Sequence, residues 1–367
     1  MLTRVYVNNF KCMVNFELKL SALNLLLGAN GSGKSTLFEA LRKVRTFALS
    51  GLKAPQVFSA EELTKWQISD VQSFELELEQ DSEVYRYELA IMFTLNSETT
   101  VAHERLWCNG SPLLRYEHGE VQLYRDDFTP DVSYPIAAAQ SLLTLIPLRR
   151  DNQKLDRFKQ LIDKLLIVQI FPPSMKRAPS EGENFWLNSD SSNFVSWYRY
   201  LSQNQGLIQQ LSIELKEVIE GFSHFAFRAL GPDRHTLVVH MVADQKRTTE
   251  YSFHELSDGQ CVLIVLYTLL LAARFENYTL CIDEPENFLA LAEIQPWLTA
   301  LYDQCQEENT QALLISHHPR IINDLANDIG VWFERRYDGP VRVRPVAVEE
   351  GGISIAQLIE RGWLYDD

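Results

Sequence analysis

The amino-acid sequence predicts an α/β fold: a mixed-sheet core, an antiparallel β-meander and an inserted helical lobe, with no long coiled coil. Three observations predict it. An apolar run, Leu23 to Leu27, leads through a glycine-rich loop, Gly28 to Thr36, into a helix-compatible segment, Leu37 to Val44. Strand-like runs separated by turn signals occupy residues 73–124. Two further apolar runs, Tyr278 to Ile282 and Ala312 to Ile315, end in Asp283-Glu284 and Ser316-His317, as buried strands with polar groups at their carboxyl ends would.

Composition supports a real core. The 367 residues are 46% hydrophobic and 11% aromatic, which excludes a disordered chain. The formal charge of −15 argues against a protein coated non-specifically in nucleic acid, but its distribution is uneven. Residues 1–55 hold eight lysines and arginines against Glu17 and Glu39, a local +6, so the remainder carries −21. Two readings of the basic segment stand: it serves a phosphate-binding lobe alone, or it also meets DNA or RNA. Five cysteines (12, 108, 261, 281, 305) form no C-x-x-C pair and no metal-ligand spacing with the eight histidines, as expected of reduced thiols in a cytoplasmic protein. The segment Met1 to Lys11 lacks the apolar centre of a signal peptide. The longest apolar run, Cys261 to Ala273, is 13 residues and precedes Arg274, which predicts a buried helix and no membrane association.

In chain order, residues 2–8 and 14–20 predict two strands at a sheet edge before the core strand 23–27, so that the loop sits inside a mixed sheet. A short helix is expected at Ala60 to Trp66. The meander follows, with strands over 73–79, 84–93, 100–108 and 120–124 and turns at Asn109-Gly110 and His118-Gly119. Apolar spacings predict helices over 152–169 and 192–222, separated by Phe171-Pro172-Pro173 and a polar loop over 180–192. No heptad pattern lasts three heptads, and no internal repeat is visible. Strands are expected again at 225–230, 236–242 and 249–253, with Gly231-Pro232-Asp233 as a turn. The expected domains are a first nucleotide-binding lobe part over 1–150, a helical lobe over 151–230 and a second nucleotide-binding part over 231–367.

Gly28-Ala29-Asn30-Gly31-Ser32-Gly33-Lys34-Ser35-Thr36 fits G-x-x-x-x-G-K-[ST] between a strand and a helix. Its glycines let consecutive N–H groups point at nucleotide phosphates, and the helix adds its positive end. Asn30, Gly31, Gly33 and Thr36 belong to this cradle. Lys34 is placed to reach the β- and γ-phosphates and Ser35 to hold Mg²⁺; the plain alternative is a glycine-rich turn with no ligand. Asp283, 249 residues after Lys34, suits Mg²⁺ and its waters, and Glu284 suits polarising an attacking water. Leu256-Ser257-Asp258-Gly259-Gln260 opens the apolar helix, where Ser257 is either a simple N-cap or part of a second anion site. His317 ends a strand where it could meet a γ-phosphate or its water; His318 competes for the role, and a purely structural pair is the alternative.

The order G-A-N-G-S-G-K-S, L-S-D-G-Q, L-C-I-D-E-P-E-N, I-S-H-H-P resembles the ABC-type ATPases, and within them the soluble RecF/SMC/OLD-like branch. Val7-Asn8-Asn9-Phe10-Lys11 and the D-E-P-E-N form are similar to that branch rather than to transporter subunits. The matching motifs span positions 7 to 319. The resemblance implies ATP and Mg²⁺ as ligands. It also implies that Ser257, Gly259 and Gln260, in a signature where Asp258 replaces a glycine, close in trans over ATP bound to a second copy, giving a homodimer around two ATP molecules. Gln140, in Ala137-Ala138-Ala139-Gln140-Ser141, stands where the family places the glutamine that links Mg²⁺ to the helical lobe, though an ordinary surface glutamine fits as well. Phe288-Leu289-Ala290 departs from the family, which generally has Asp after that leucine; weak communication between the two sites and slow turnover are expected.

Two functions of different class follow. One is a soluble ATPase whose dimerisation and opening control a DNA-linked process, in repair or phage defence, as the resemblance to compact ATPases of bacterial defence operons suggests. The 116 residues from Gln140 to Leu256 hold a few helices but not SMC arms, and the roughly 50 after His317 hold no acidic cluster resembling a Toprim nuclease, so a separate effector, nuclease or toxin, is expected. The other is an ATP-gated scaffold or inhibitor of such a partner, for which binding suffices. A transporter's nucleotide-binding subunit is disfavoured by the meander and by the lack of a coupling-type sequence.

Overall fold

The computed structural model describes the chain except residues 95–97, 176–179, 233, 243–246, 308–309, 337–338, 347–353 and 361–367. In chain order its elements begin with β1 (Leu2–Asn8), β2 (Phe16–Lys19), β3 (Leu23–Leu27), α1 (Lys34–Ser50) and α2 (Ala54–Val57). Then come β4 (Val71–Gln80), β5 (Glu83–Phe93), β6 (Thr99–Cys108), β7 (Ser111–Glu117), β8 (Glu120–Tyr124) and β9 (Pro130–Pro135). After α3 (Gln153–Asp163) and β10 (Leu165–Gln169) follow α4 (Phe194–Leu201), α5 (Gln205–Val218), β11 (Phe222–Ala229), β12 (His235–Val242) and β13 (Thr248–Ser252). The last stretch holds α6 (Asp258–Glu276), β14 (Thr279–Asp283), α7 (Leu291–Glu307), β15 (Gln311–Ile315), α8 (Pro319–Ile329), β16 (Gly330–Arg335), β17 (Val341–Pro345) and α9 (Ile355–Glu360). Two compact units divide the chain: residues 1–165 with 325–352, and 166–324 with 353–367.

In the first unit an antiparallel sheet runs in the order β2-β1-β4-β5-β6-β7-β8-β9. Strict alternation builds it: on β4, Phe74, Leu76 and Leu78 are buried while Ser73, Glu75 and Glu77 lie on the other face. That other face carries cross-strand ion pairs, Arg4 with Glu17 and Glu75, Arg86 with Glu75, and Arg105 with Glu88 and Glu117. Each contributes at most about 1 kcal/mol, but together they favour one register. β1 and β2 therefore belong to the meander sheet. The expected meander also gains β7 and β9; Pro112, Pro130 and Pro135 disguise them, since proline is tolerated at strand starts and edges. Strand β3 is buried throughout and pairs in parallel with β16, which pairs antiparallel with β17. The glycine-rich loop thus leaves the carboxyl end of a buried strand in a mixed ladder.

Several helix expectations need correction. The helix expected over 152–169 ends at Asp163, because Leu165-Leu166-Ile167-Val168 is a continuous buried apolar run that forms β10. The helix expected over 192–222 is broken: α4 stops at Leu201, and Asn204, whose side chain accepts from the Leu207 N–H at 3.2 Å, caps a new start. The segment 60–66 contains one 3₁₀ turn, Ala60–Glu62. Helix α1 continues to Ser50 and ends on Gly51 in the left-handed conformation.

In the second unit β14 and β15 pair in parallel, with Asp283 opposite Ile315, and β11-β12-β13 form an antiparallel sheet. Asp233 of the expected turn lies outside the described residues; the hairpin it joins is β11–β12. Helix α6 is buried from Cys261 to Ala273 and packs against α4, α5, α7 and β14. It is the one described helix long and apolar enough to cross a membrane, and its burial on nearly all sides is that of a core helix. Helix α7 is tied to it by Trp297 Nε1 donating to the Leu266 carbonyl and Gln304 Nε2 to the Leu270 carbonyl, both at 3.0 Å.

Candidate functional site

The loop after β3 is held so tightly that two glycines are obligatory. Gly28 has φ 145°, and a Cβ there would lie 2.3 Å from the Phe333 carbonyl oxygen; Gly33 has φ 105°, and a Cβ would lie 2.9 Å from Cys12 Sγ. Gly33 is the N-cap of α1 and supplies no side chain to its first N–H groups, so the helix opens with donors for an anion. Lys34 is 5% exposed and its Nζ donates to the carbonyls of Gly28 at 2.7 Å and Ala29 at 3.1 Å, so its ammonium lies within the loop it serves. Asn30, Gly31 and Ser35 are exposed and Thr36 is half-buried, its Oγ1 accepting from Cys12 Sγ. The Ser32 hydroxyl is buried with no hydrogen-bond partner. Amide donors, a positive helix end and a buried ammonium fit a chain of phosphates.

Gln140 lies elsewhere in the first unit. It bridges to Lys53 in β fashion, and its Nε2 donates to Thr144 Oγ1 at 3.3 Å. The next two residues are pinned by Glu104 of β6, which is fully buried. Its Oε1 accepts from Tyr87 Oη at 2.8 Å and Ser141 Oγ at 2.5 Å, and its Oε2 accepts from the Leu142 N–H at 2.7 Å. Burial pushes this carboxyl above the usual carboxylate range, against the pull of those donors, and burial together with the Glu104 charge pushes the Tyr87 phenol well up.

In the second unit the structure brings the remaining candidates onto adjoining ends of two strands and one helix. Asp283 ends β14 and Glu284 follows, its N–H donating to the Ile315 carbonyl of β15 at 2.9 Å. Glu284 has φ 52°, an uncommon backbone for a non-glycine residue, and its Oε2 accepts from Asn287 Nδ2 at 2.7 Å. Ser316 and His317 leave β15 beside it. His317 is exposed, while His318 Nδ1 accepts from the Arg320 N–H at 3.2 Å at the start of α8. Ser257 caps α6: its Oγ accepts from the Gln260 N–H at 3.2 Å, and Gln260 Oε1 accepts from the Ser257 N–H at 3.0 Å. Gly259 faces the turn after β14, where a Cβ would lie 3.1 Å from the Phe288 carbonyl oxygen. Phe288 is itself exposed with φ 71°, strained for an aromatic residue.

Two residues escaped the sequence analysis. Glu286 is buried, and its Oε1 accepts from Ser316 Oγ at 2.7 Å and the His317 N–H at 3.1 Å, joining the turn after β14 to the end of β15. The second glutamate of D-E-P-E was the available signal. Glu104 is the other; its in-phase spacing with Leu106 and Cys108 places a carboxyl on the apolar face of β6.

A family model described as "AAA domain, putative AbiEii toxin, Type IV TA system" matches residues 23–323. No curated protein matches the chain in sequence. Among solved structures, the fold is similar to the SMC head bound to the C-winged helix domain of ScpA, with TM-score 0.57, 12% identity and coverage of 95% of this chain and 98% of that one. It is also similar to the Smc head domain with an extended coiled coil bound to the C-terminal domain of ScpA from Pyrococcus furiosus, with TM-score 0.51, 11% identity and coverage of 98% of each chain. At such identities the likeness establishes an SMC-head-like fold and nothing finer.

Proposed function

The chain belongs to the AAA_21 family and has an SMC-head-like fold, and on that premise we propose that it is an ABC-type ATPase of the RecF/SMC-like branch that binds and slowly hydrolyses ATP, closing as a homodimer around two ATP molecules to control a DNA-linked process through a separate effector. The observation that carries this proposal is the loop geometry: a buried lysine ammonium inside a glycine cradle at the opening of α1. Phosphates are bound by the loop N–H groups, with Lys34 supplying positive charge to the β- and γ-phosphates. Ser35 and Asp283 are the hard oxygen donors that would hold Mg²⁺, and Gln140 would join them only by the family's order; when bound, the ion would neutralise charge developing on the phosphoryl oxygens. Glu284, its carboxylate steadied by Asn287, orients and polarises the attacking water, and His317 meets the γ-phosphate side. Ser257, Gly259 and Gln260 offer a capped helix start to the phosphates of a second copy.

The family description supplies a toxin–antitoxin context; a separate toxin or nuclease effector, in phage defence or repair, is part of the same proposal. The two SMC heads, each bound to a domain of ScpA, support a protein partner in general. DNA or RNA would meet the basic first segment, and a cytoplasmic location suits five buried free cysteines. A second reading, an ATP-gated scaffold or inhibitor that needs little hydrolysis, is favoured by Phe288-Leu289-Ala290, an exposed and strained turn without the family's Asp. The test is Glu284→Gln. The proposed ATPase predicts that ATP binding persists, hydrolysis falls by about 100-fold or more, and biological activity is lost with it. Full biological activity without hydrolysis would establish the scaffold instead.

A further inference from the structure

In the first unit the segment leading into α3 and one face of that helix line a cleft of about 520 Å³, within the size range of small-molecule sites. The helix builds its wall by period. Leu155, Phe158 and Ile162 are buried, which turns Gln153, Asp156, Arg157 and Gln160, at i, i+3, i+4 and i+7, onto the other side and into the cleft. Leu148, Arg149 and Arg150 make the second wall. Its backbone is fixed: the buried Asn152 accepts from the Arg149 N–H at 2.7 Å and donates to the Pro147 carbonyl at 2.9 Å. Asp126 accepts from the N–H groups of Gln153 and Lys154 at 2.8 and 2.9 Å, so the start of α3 is already satisfied and what the cleft offers an anion is its side chains.

The lining sets three guanidinium groups against one carboxylate, Asp156, which Lys159 faces at 3.9 Å. Two of the three are steadied by carboxylates outside the lining. Arg149 pairs with Asp131 and, through Nε, with Asp151 at 3.4 Å, and Arg157 donates from Nη1 to Glu83 at 2.8 Å. A guanidinium carries five N–H donors, so both keep donors beyond those so engaged. Arg150 is exposed and has no ion pair among the described residues. Arginines oriented in this way match phosphate, which they bind through two parallel N–H donors.

We propose that this cleft is a second anion site, sharing no residue with the glycine-rich loop, that takes a small solute carrying two or more phosphates. The surroundings select that class over a nucleic-acid strand. No aromatic side chain stands among the described lining residues for bases to stack on, and Glu83, Asp131 and Asp151 lie next to the arginines, where they repel a long polyanion. A compact ligand meets only the three guanidinium groups, with the amides of Gln153 and Gln160 for its polar atoms and the exposed Leu148 for an apolar part.

Calorimetric titration of the full chain with inorganic tripolyphosphate is the test. Wild type should show two sites, of which Lys34→Ala removes the one at the loop and keeps the other. Arg150→Ala deletes an exposed side chain without an ion pair; it should weaken the second site about tenfold, the worth of a charged hydrogen-bonded contact, and leave the loop site within about twofold. Arg150→Lys keeps the charge but not the fork and should fall between. In Lys34→Ala, tighter binding of ADP than of tripolyphosphate identifies the solute as a nucleotide, and equal or weaker binding identifies it as a phosphate chain; either result supports the site. Loss of all tripolyphosphate binding in Lys34→Ala, or a second site that neither Arg150→Ala nor Arg150→Glu weakens, would overturn it. A titration that Lys34→Ala leaves unchanged and Arg150→Ala weakens would refute the loop and leave the cleft standing. If Lys34→Ala binds a single-stranded oligothymidylate in place of tripolyphosphate and loses it on adding Arg150→Ala, the cleft belongs to nucleic acid and the proposal fails.

Discussion

Replacing Glu286 with alanine should uncouple the turn after β14 from the end of β15. The carboxylate accepts from Ser316 Oγ and from the His317 N–H, and Ser316 is only 1% exposed. Alanine leaves both donors without that acceptor, at about 1–3 kcal/mol for each buried group. Part of this is offset because the second carboxylate oxygen, buried without a partner, is removed as well. A net loss of about 2–4 kcal/mol is expected, a large share of the total stability of an ordinary domain. Glu286→Gln retains an acceptor of the same shape and should cost about 1 kcal/mol or less. Urea unfolding measures the stabilities. Steady-state ATP hydrolysis, at a temperature where all three forms are folded, tests whether the bridge also positions His317: kcat should fall about tenfold in the alanine variant and stay within a few-fold in the glutamine variant. Alanine as stable as wild type, or glutamine as damaging as alanine, would refute this account of the bridge.

Glu104 allows a similar comparison with a pH signature. Alanine orphans Tyr87 Oη, Ser141 Oγ and the Leu142 N–H and should cost about 3–5 kcal/mol, whereas glutamine can accept from Leu142 and donate to the two hydroxyls. Burial raises the Glu104 carboxyl above its ordinary 4.5, so its contribution to stability is fullest below that value and is lost as pH rises through the raised one. Wild type should therefore lose stability relative to Glu104→Gln as pH climbs from about 4.5; a difference that does not change with pH would count against a raised carboxyl. Ser257→Arg places bulk and charge at the opening of α6 and should abolish ATP-dependent dimerisation in sedimentation. A variant that still dimerises with ATP would remove the sandwich.

The parts of the fold carried by period and punctuation were legible. Strands β3, β14 and β15 are largely apolar runs ending in glycine or polar groups, and most of the meander alternates cleanly, so both patterns survive in a single sequence. What escaped depends on tertiary pairing. β1 and β2 look like neighbours of β3, yet β2 pairs with β1 and β1 with β4, where the ion pairs of Arg4 with Glu17 and Glu75 and the inward faces of these strands match. β10 shares its apolar residues with a helical pattern, and a run of Leu-Leu-Ile-Val does not itself declare its period. At the candidate site, residue types that carry phosphate chemistry could be named from spacing. The carboxylates that brace them, Glu104 and Glu286, could not, because their roles lie in hydrogen bonds to donors 37 and 30 residues away.

The central claim is that the loop from Gly28 to Thr36 holds the phosphates of ATP around Lys34. Equilibrium titration of Mg-ATP into the wild-type chain and into Lys34→Ala tests it most directly. Removing a 5% exposed ammonium from an anion site should cost about 30-fold or more in affinity. Tight binding by wild type and its loss in Lys34→Ala is the predicted result; the same affinity in both proteins would contradict it.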